Sequence, residues 1–487
     1  MAGIGFQLQK LFREDYYSSR IKAYGFAVFV TSGPWLLIIL SISLSKWFLK
    51  LLVISNQDIT DLLTISLAYA FIFSQVVFSL QQLTVTRFMA DSLYHKQYDK
   101  VYSSFLGMST THIWLSLPFA VFLILYSPMP LYYELELILF YLIMGLIWVA
   151  FLYISALKDY RMVSYSFLWG GVVVVLGTYL LTVIVPFENL KLFESGAILL
   201  LPFILGMSIT LTMLFIALNR SFKFRGKKDR LDYYSYFDRL PRFVGIGFLY
   251  SAGLWVANWF IWWGEGSEEL YGFFRYHMVY DTAVFWSYLS IVPTLMFFVI
   301  SVETRFYPRY RSFYGYINQG GTLKQIQRSH QRMIHVLKEE LYRLLRNQGL
   351  VTFLILLFSS LIASGLKADP TFLRIFRLTL LGAFCNGMVL VFQLLLLYFE
   401  DHKGALRTSI LFFGSILILT YFMLPFGSEA YGLSFALGSL FAFIYAALRL
   451  MRYVEKLDFY AFSPSSSQGE GKFFHRVAIV FSRIHSK

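Results

Sequence analysis

Phe353–Ile362 reads FLILLFSSLI. The run shows none of the two-residue alternation that an outer-membrane strand carries in segments of about ten residues. Unpaired backbone groups in hydrocarbon cost several kcal/mol each, so a stretch of this kind is a lipid-embedded helix. Comparable stretches fill the chain on both sides of it. Spans are predicted at 23–46, 61–82, 104–126, 133–156, 165–186, 197–219, 241–263, 280–302, 349–366, 373–399, 406–425 and 431–451. Most reach the ~20 residues needed to cross about 30 Å of hydrocarbon, and the ninth is the shortest. Composition agrees: 57% of the 487 residues are hydrophobic and 14% charged, against roughly one quarter charged in a soluble domain.

Charge sets the expected orientation. An even number of spans leaves both termini on one side, and the loops on that side carry almost all the cations. These are Lys10, Arg13, Arg20 and Lys22; Arg87, Lys96 and Lys100; Lys158 and Arg161; the run 220–242; the run 305–346; Lys403 and Arg407; and the tail from Arg449. The opposite loops hold Glu134, Glu136, Glu188, Glu194, Glu265, Glu268, Glu269, Asp369 and Glu429. The positive-inside rule therefore places both termini in the cytoplasm. Anionic inner-leaflet lipid accounts for the formal charge of +14, and nucleic-acid binding is not needed to explain it. The single cysteine, Cys385, offers neither a disulfide nor a metal cluster. No cleavable leader is expected ahead of span 1, and residues 1–22 read as a cytoplasmic interfacial segment.

The halves resemble each other. Thr31-Ser32-Gly33-Pro34-Trp35 in span 1 matches Ser251-Ala252-Gly253-Leu254-Trp255 in span 7, and Val85-Thr86-Arg87-Phe88 after span 2 matches Glu303-Thr304-Arg305-Phe306 after span 8. Six spans return the chain to its starting side, so two parallel repeats are implied. The expected organisation is a six-helix lobe at 23–219, a basic linker at 220–240, a second lobe at 241–451 and a cytoplasmic tail at 452–487. The second lobe includes an amphipathic cytoplasmic helix at about 323–347, docked on lipid or on the underside of the bundle.

Polar and irregular residues inside the spans are the functional candidates. Gly33 and Pro34, with Gly253 in the second half, are candidate hinges, because proline removes an amide donor and glycine weakens a helix. Arg87 and Arg305, with Glu303 beside the latter, are candidates for a cytoplasmic gate; depth anchoring is the plainer role. Gln75, Gln81, Gln82, His112, Asn258, Asp281, Asn386 and Gln393 are candidate route-lining groups, against the alternative of interhelical hydrogen bonds worth roughly 1 kcal/mol. Trp255, Trp259 and Trp262 present flat faces suited to sugar rings and equally suit an interfacial belt. No phosphate loop, zinc spacing or hydrolytic constellation is visible, so the chain reads as a transporter with no catalytic residues, no cofactor and no metal.

Met1-Ala2-Gly3-Ile4-Gly5-Phe6, then Ser32-Gly33-Pro34-Trp35, Val302-Glu303-Thr304-Arg305-Phe306-Tyr307 with Arg309-Tyr310, Gly320-Gly321-Thr322-Leu323 and Leu397-Tyr398-Phe399 resemble the PelG family of Pel exopolysaccharide export. Gln7 and Gln9 depart from the acidic and basic residues expected there. The resemblance implies an all-α polytopic fold like that of the multidrug, oligosaccharidyl-lipid and polysaccharide flippase superfamily, with two six-helix lobes around a cavity. It further implies movement of an amino-sugar-rich polymer across the bacterial inner membrane for the biofilm matrix. The partners it implies are a cytosolic Pel glycosyltransferase and other Pel inner-membrane components. A flippase for a lipid-linked saccharide, and a scaffold holding a synthase through the basic amphipathic helix, are the alternatives.

Overall fold

Runs of hydrocarbon length satisfy their backbone within single helices. The computed structural model, which describes residues 36–49, 57–157, 160–222, 230–365 and 368–462, is built in that way. Ten of its helices are long and apolar enough to span a membrane, and a bent pair makes an eleventh. A shorter apolar helix, α1 (Leu36–Leu49), overlaps the first predicted span. The protein is an all-α, multi-pass membrane protein. Gly33, Pro34, the interfacial segment 1–22 and the tail beyond 462 lie outside the described residues.

The chain divides into two compact units. One comprises residues 33–251 together with 269–275. It holds α2 (Gln57–Tyr94), α3 (Tyr98–Tyr126), α4 (Leu131–Leu157), α5 (Tyr160–Ile184), α6 (Leu192–Ser221) and the short α7 (Tyr234–Arg239). Helix α4 is the most enclosed of these spans and packs on α2 and α6, while α5 packs on α6. Tyr133, Tyr141 and Tyr153 of α4 are fully buried. Tyr133 shares a hydrogen bond with Ser66 at 2.7 Å, and Tyr153 donates to Ser104 at 2.9 Å. Tyr133 and Tyr153 thus bury apolar area while their hydroxyls stay paired.

At the α5–α6 crossing the backbones meet through small residues. A Cβ on Gly206 would stand 2.5 Å from the Gly170 carbonyl oxygen, and one on Gly170 would stand 2.6 Å from that of Gly206. The obstacle is backbone and cannot swing aside. Gly206→Val is therefore expected to cost about 2 kcal/mol. Gly414→Val, where a Cβ meets nothing within 4 Å, should be near neutral; thermal unfolding in detergent compares them.

The basic linker expected at 220–240 is not a free tether along its described part. Tyr233, Phe237 and neighbouring rings bury against α2 and α3, and Tyr236 donates to Asp91 at 3.0 Å. Gly107 lets the Arg230 carbonyl come close enough that a Cβ there would clash. The aromatic run 233–237 outweighs the charges before it. Residues 269–275 also pack within this unit: Tyr69 donates to the Arg275 carbonyl at 2.7 Å and accepts from the Arg275 amide at 3.1 Å.

The second unit comprises residues 252–268 and 276–468. Helix α8 (Pro241–Ile261) runs across the boundary between the units, and a short hairpin follows, β1 (Glu268–Leu270) and β2 (Phe274–Tyr276). Then come α9 (Met278–Leu289), α10 (Val292–Ser301), a π-helical turn (Val302–Phe306) and α11 (Tyr307–Asn318). The rest is α12 (Leu323–Leu357), α13 (Ser359–Gly365), α14 (Pro370–Tyr398), α15 (His402–Met423), α16 (Leu433–Glu455) and α17 (Leu457–Phe462). Here α14 is the most enclosed span and packs on α9 and α16, while α15 packs on α16. Counting spans from the start of each predicted lobe, second–fourth, fourth–sixth and fifth–sixth contacts recur in both units.

Two elements differ from expectation. The amphipathic helix at 323–347 and the span at 349–366 are one helix, α12, bent by 52° into α13. Nothing at Arg346–Gly349 stops a helix, whereas at Phe358 the following serines leave the ladder: Ser359 returns its hydroxyl to the Leu356 carbonyl at 2.7 Å. The apolar face of α12's N-terminal, charged part is covered by protein, with Ile326, Met333, Leu337, Leu341 and Leu344 all buried. Span 8 is also interrupted, at Ser290–Ile291 ahead of Pro293. There Gln348 of α12 donates to the Ser290 carbonyl at 2.8 Å and satisfies the break.

Candidate functional site

Two of the predicted candidates, Asn258 on α8 and Trp262 just past its end, lie one turn apart, the Trp262 amide donating to the Asn258 carbonyl at 2.9 Å, and so share a side. A third, Asp281, lies in the first turn of α9. The fold brings the three together. Asn258 donates to Asp281 Oδ1 at 2.7 Å, and the Trp262 indole N–H reaches both carboxylate oxygens at 3.1 and 3.0 Å. The His277 amide donates to Oδ2 at 3.1 Å, while His277 Nδ1 accepts from the Tyr280 amide and caps α9. Burial holds the His277 imidazole below its usual range, which keeps it neutral and able to accept. A buried carboxyl group thus sits among neutral donors at one end of this unit's spans.

The neighbouring tryptophans have other surroundings. Trp255 is half-buried with its ring edge against Tyr288 at 5.9 Å, and Trp259 is half-buried in α8. Helix α8 continues unbroken through Gly253, where Phe412 packs so closely that a Cβ would lie 2.6 Å from its ring.

At the other end of the same unit the hub is a residue the sequence reading passed over, Glu340, buried on α12. Its carboxylate accepts from Ser301 at 2.8 Å, from Arg305 at 3.0 Å and from Arg343 at 2.7 Å. Arg305 therefore pairs with Glu340. The Glu303 side chain expected beside it lies outside the described residues. These contacts fasten the π-helical turn, a local widening of the helix that often marks functional segments. Glu340→Ala is expected to cost about 2 kcal/mol, discounted because both arginines stay partly in water, and Arg305→Ala on top of it should add little. A double-mutant cycle by thermal unfolding reads the coupling.

Arg87, the counterpart in the other unit, pairs with Asp91 of its own helix at 3.3 Å. Gln81 and His112 face each other at 3.4 Å inside that unit, His112 fully enclosed, while Gln75 and Gln82 are half-buried on α2. Gln393 donates to Ser409 at 3.1 Å and ties α14 to α15, and Asn386 is buried on α14. Arg377 was also missed, although a charge inside span 10 was visible as such. It donates to Ser359 at 2.9 Å and Ser360 at 3.0 Å, at the bend between α12 and α13. Among the described residues no group of His, Cys, Asp and Glu could hold a metal ion.

The arrangement sets amides, hydroxyls and indoles around isolated carboxylates, and the candidate gate arginines Arg87 and Arg305 are each matched to an acid. The fold is shared with solved transporters. A MATE protein in a bent conformation matches with TM-score 0.60 at 11% identity, over 94% of this chain and 99% of that one. The Vibrio cholerae MATE transporter VcmN in its bent form gives 0.58 at 11% identity, over 94% and 99%. A multidrug-flippase-superfamily transporter from Pyrococcus furiosus, described by a reversed polarity of its binding pocket, gives 0.53 at 12% identity, over 89% and 96%. No curated protein matches in sequence. The family described as "PelG: Putative exopolysaccharide Exporter (EPS-E)" matches residues 1–462, nearly the whole length over which the spans and both units are laid out. The chain belongs to the PelG family of exopolysaccharide exporters.

Proposed function

We propose that this chain moves the amino-sugar-rich Pel polymer across the bacterial cytoplasmic membrane, with both termini in the cytoplasm and the two halves arising from one duplicated six-span unit. The observation that carries the reading is the family match over residues 1–462. The recurrent packing order in the two units supports the duplication, and the concentration of Lys and Arg in alternate loops supports the orientation. A cationic polymer is disfavoured by free cations along its route, and both gate candidates are matched: Arg87 with Asp91, Arg305 with Glu340. A lipid-linked pyrophosphate would instead need such arginines open to it. Asn258, Asp281, Gln81 and His112, together with the faces of Trp255, Trp259 and Trp262, are the groups proposed to touch sugar. Gly33, Pro34 and Gly253 are the positions proposed to yield.

A cytosolic Pel glycosyltransferase delivers the chain end in this scheme. Reconstitution in liposomes with and without that enzyme tests the reading. Polymer appearing inside protein-containing vesicles is the expected result. Movement of a lipid-linked saccharide alone, or synthase binding with no movement of either cargo, would replace it.

A further inference from the structure

The cytoplasmic part of α12 has its apolar side committed to protein, yet it presents a continuous basic ridge on its other side. Lys324, Arg328 and Arg332 follow one another at four-residue spacing, all exposed, and none makes an ion pair among the described residues. Between residues 305 and 346 stand nine Lys and Arg against two Glu. One of those acids, Glu340, is buried and the other, Glu339, pairs with His335 at 3.2 Å. The ridge is held firmly from behind. His330 contacts Asp458 at 2.9 Å and the Val454 carbonyl at 2.9 Å while stacking on Phe313, and Lys338 pairs with Glu455 at 3.3 Å.

We infer that the Lys324–Arg328–Arg332 ridge of α12 is a docking surface for an acidic face of a cytosolic protein. Lipid is the obvious competitor, and helix geometry argues against it. Leu350, Phe353, Leu354 and Leu357 are exposed apolar residues that fix the lipid-facing end of α12, and Arg346 is the first exposed cation below them. Lys324 lies about 33 Å further along the axis at about 1.5 Å per residue, still about 25 Å after allowing a tilt of about 40°. The Debye length is about 8 Å, so a leaflet surface attracts these cations little. With no apolar face left to insert and no acid on the ridge itself, its matching surface is an acidic protein face, recognised by charge complementarity.

The test uses the full chain in nanodiscs. A fluorescent Glu-rich helical peptide of about 25 residues serves as the acidic probe, and its anisotropy reports binding. Lys324→Glu, Arg328→Glu and Arg332→Glu together should weaken binding about tenfold, and Arg328→Gln alone by about threefold should the triple variant fail to insert. Lys403→Glu with Arg407→Glu, on another cytoplasmic turn, should leave it unchanged. A fluorophore on Gln331→Cys should not be quenched by headgroup-attached quenchers, with or without anionic lipid; the native Cys385 is buried. Equal loss from the two charge reversals, no loss from the ridge variants, or headgroup quenching would each overturn the proposal. All these readouts are independent of which cargo the chain moves.

Discussion

Asp281→Ala is expected to destabilise the unit formed by residues 252–268 and 276–468 by about 4 kcal/mol, the sum of leaving three buried donors without their shared acceptor at roughly 1–2 kcal/mol each. Those donors are the Asn258 amide, the Trp262 indole and the His277 backbone N–H. Asp281→Asn keeps one accepting oxygen and turns the other into a donor facing donors, so it should lose about half as much. Asn258→Ala leaves the carboxylate its other two partners and should cost about 1 kcal/mol. Thermal unfolding of the purified chain orders the three variants. The reverse order, with Asn258→Ala worst, would mean that the carboxylate is not the centre of the cluster.

Asp401→Ala should also be severe, about 3 kcal/mol, because it leaves the half-buried Arg449 guanidinium and the Gly404 amide without their shared acceptor. Asp401 is buried and accepts from Arg449 through two bonds, 2.7 Å to Oδ2 and 3.0 Å to Oδ1, while Oδ1 also accepts from the Gly404 amide at 3.0 Å and caps α15. The guanidinium lies over the Tyr453 ring at 5.5 Å. Replacing Arg449 by Leu in the Asp401→Ala background should recover part of the loss, since it removes the half-buried cation left without its partner. No recovery in the double variant would show that the cap at Gly404 carries the effect.

How much of this was legible in advance differs between backbone and side chains. Hydropathy located the spans well, because a helix in lipid leaves no choice about where backbone hydrogen bonds go. It did not show that the basic helix at 323–347 and the ninth span are continuous, since a charged stretch reads as an interruption even where the backbone has no reason to stop. Asn258 and Trp262 stand four residues apart, a spacing that puts them on one side of a helical turn. Their meeting with Asp281 depends on how α8 and α9 return against each other across the hairpin, which no local pattern encodes. Glu340 escaped notice because an acid among bases looks like an exposed helix charge, although Arg343 three residues on was a signal. Arg377 was plain as a cation inside an apolar run and deserved the same reading as Asp281. The α5–α6 crossing at Gly170 and Gly206 requires knowing which two glycines face each other.

The central claim is that this chain itself carries a cationic amino-sugar polymer through the membrane. Uptake of a radiolabelled, partly de-N-acetylated Pel fragment into liposomes holding only this protein, compared with its fully N-acetylated form, tests that claim most directly. The account predicts protein-dependent uptake that is faster for the de-N-acetylated, positively charged fragment. Uptake no greater than in empty liposomes for either form, while a lipid-linked saccharide crosses in the same vesicles, would contradict it.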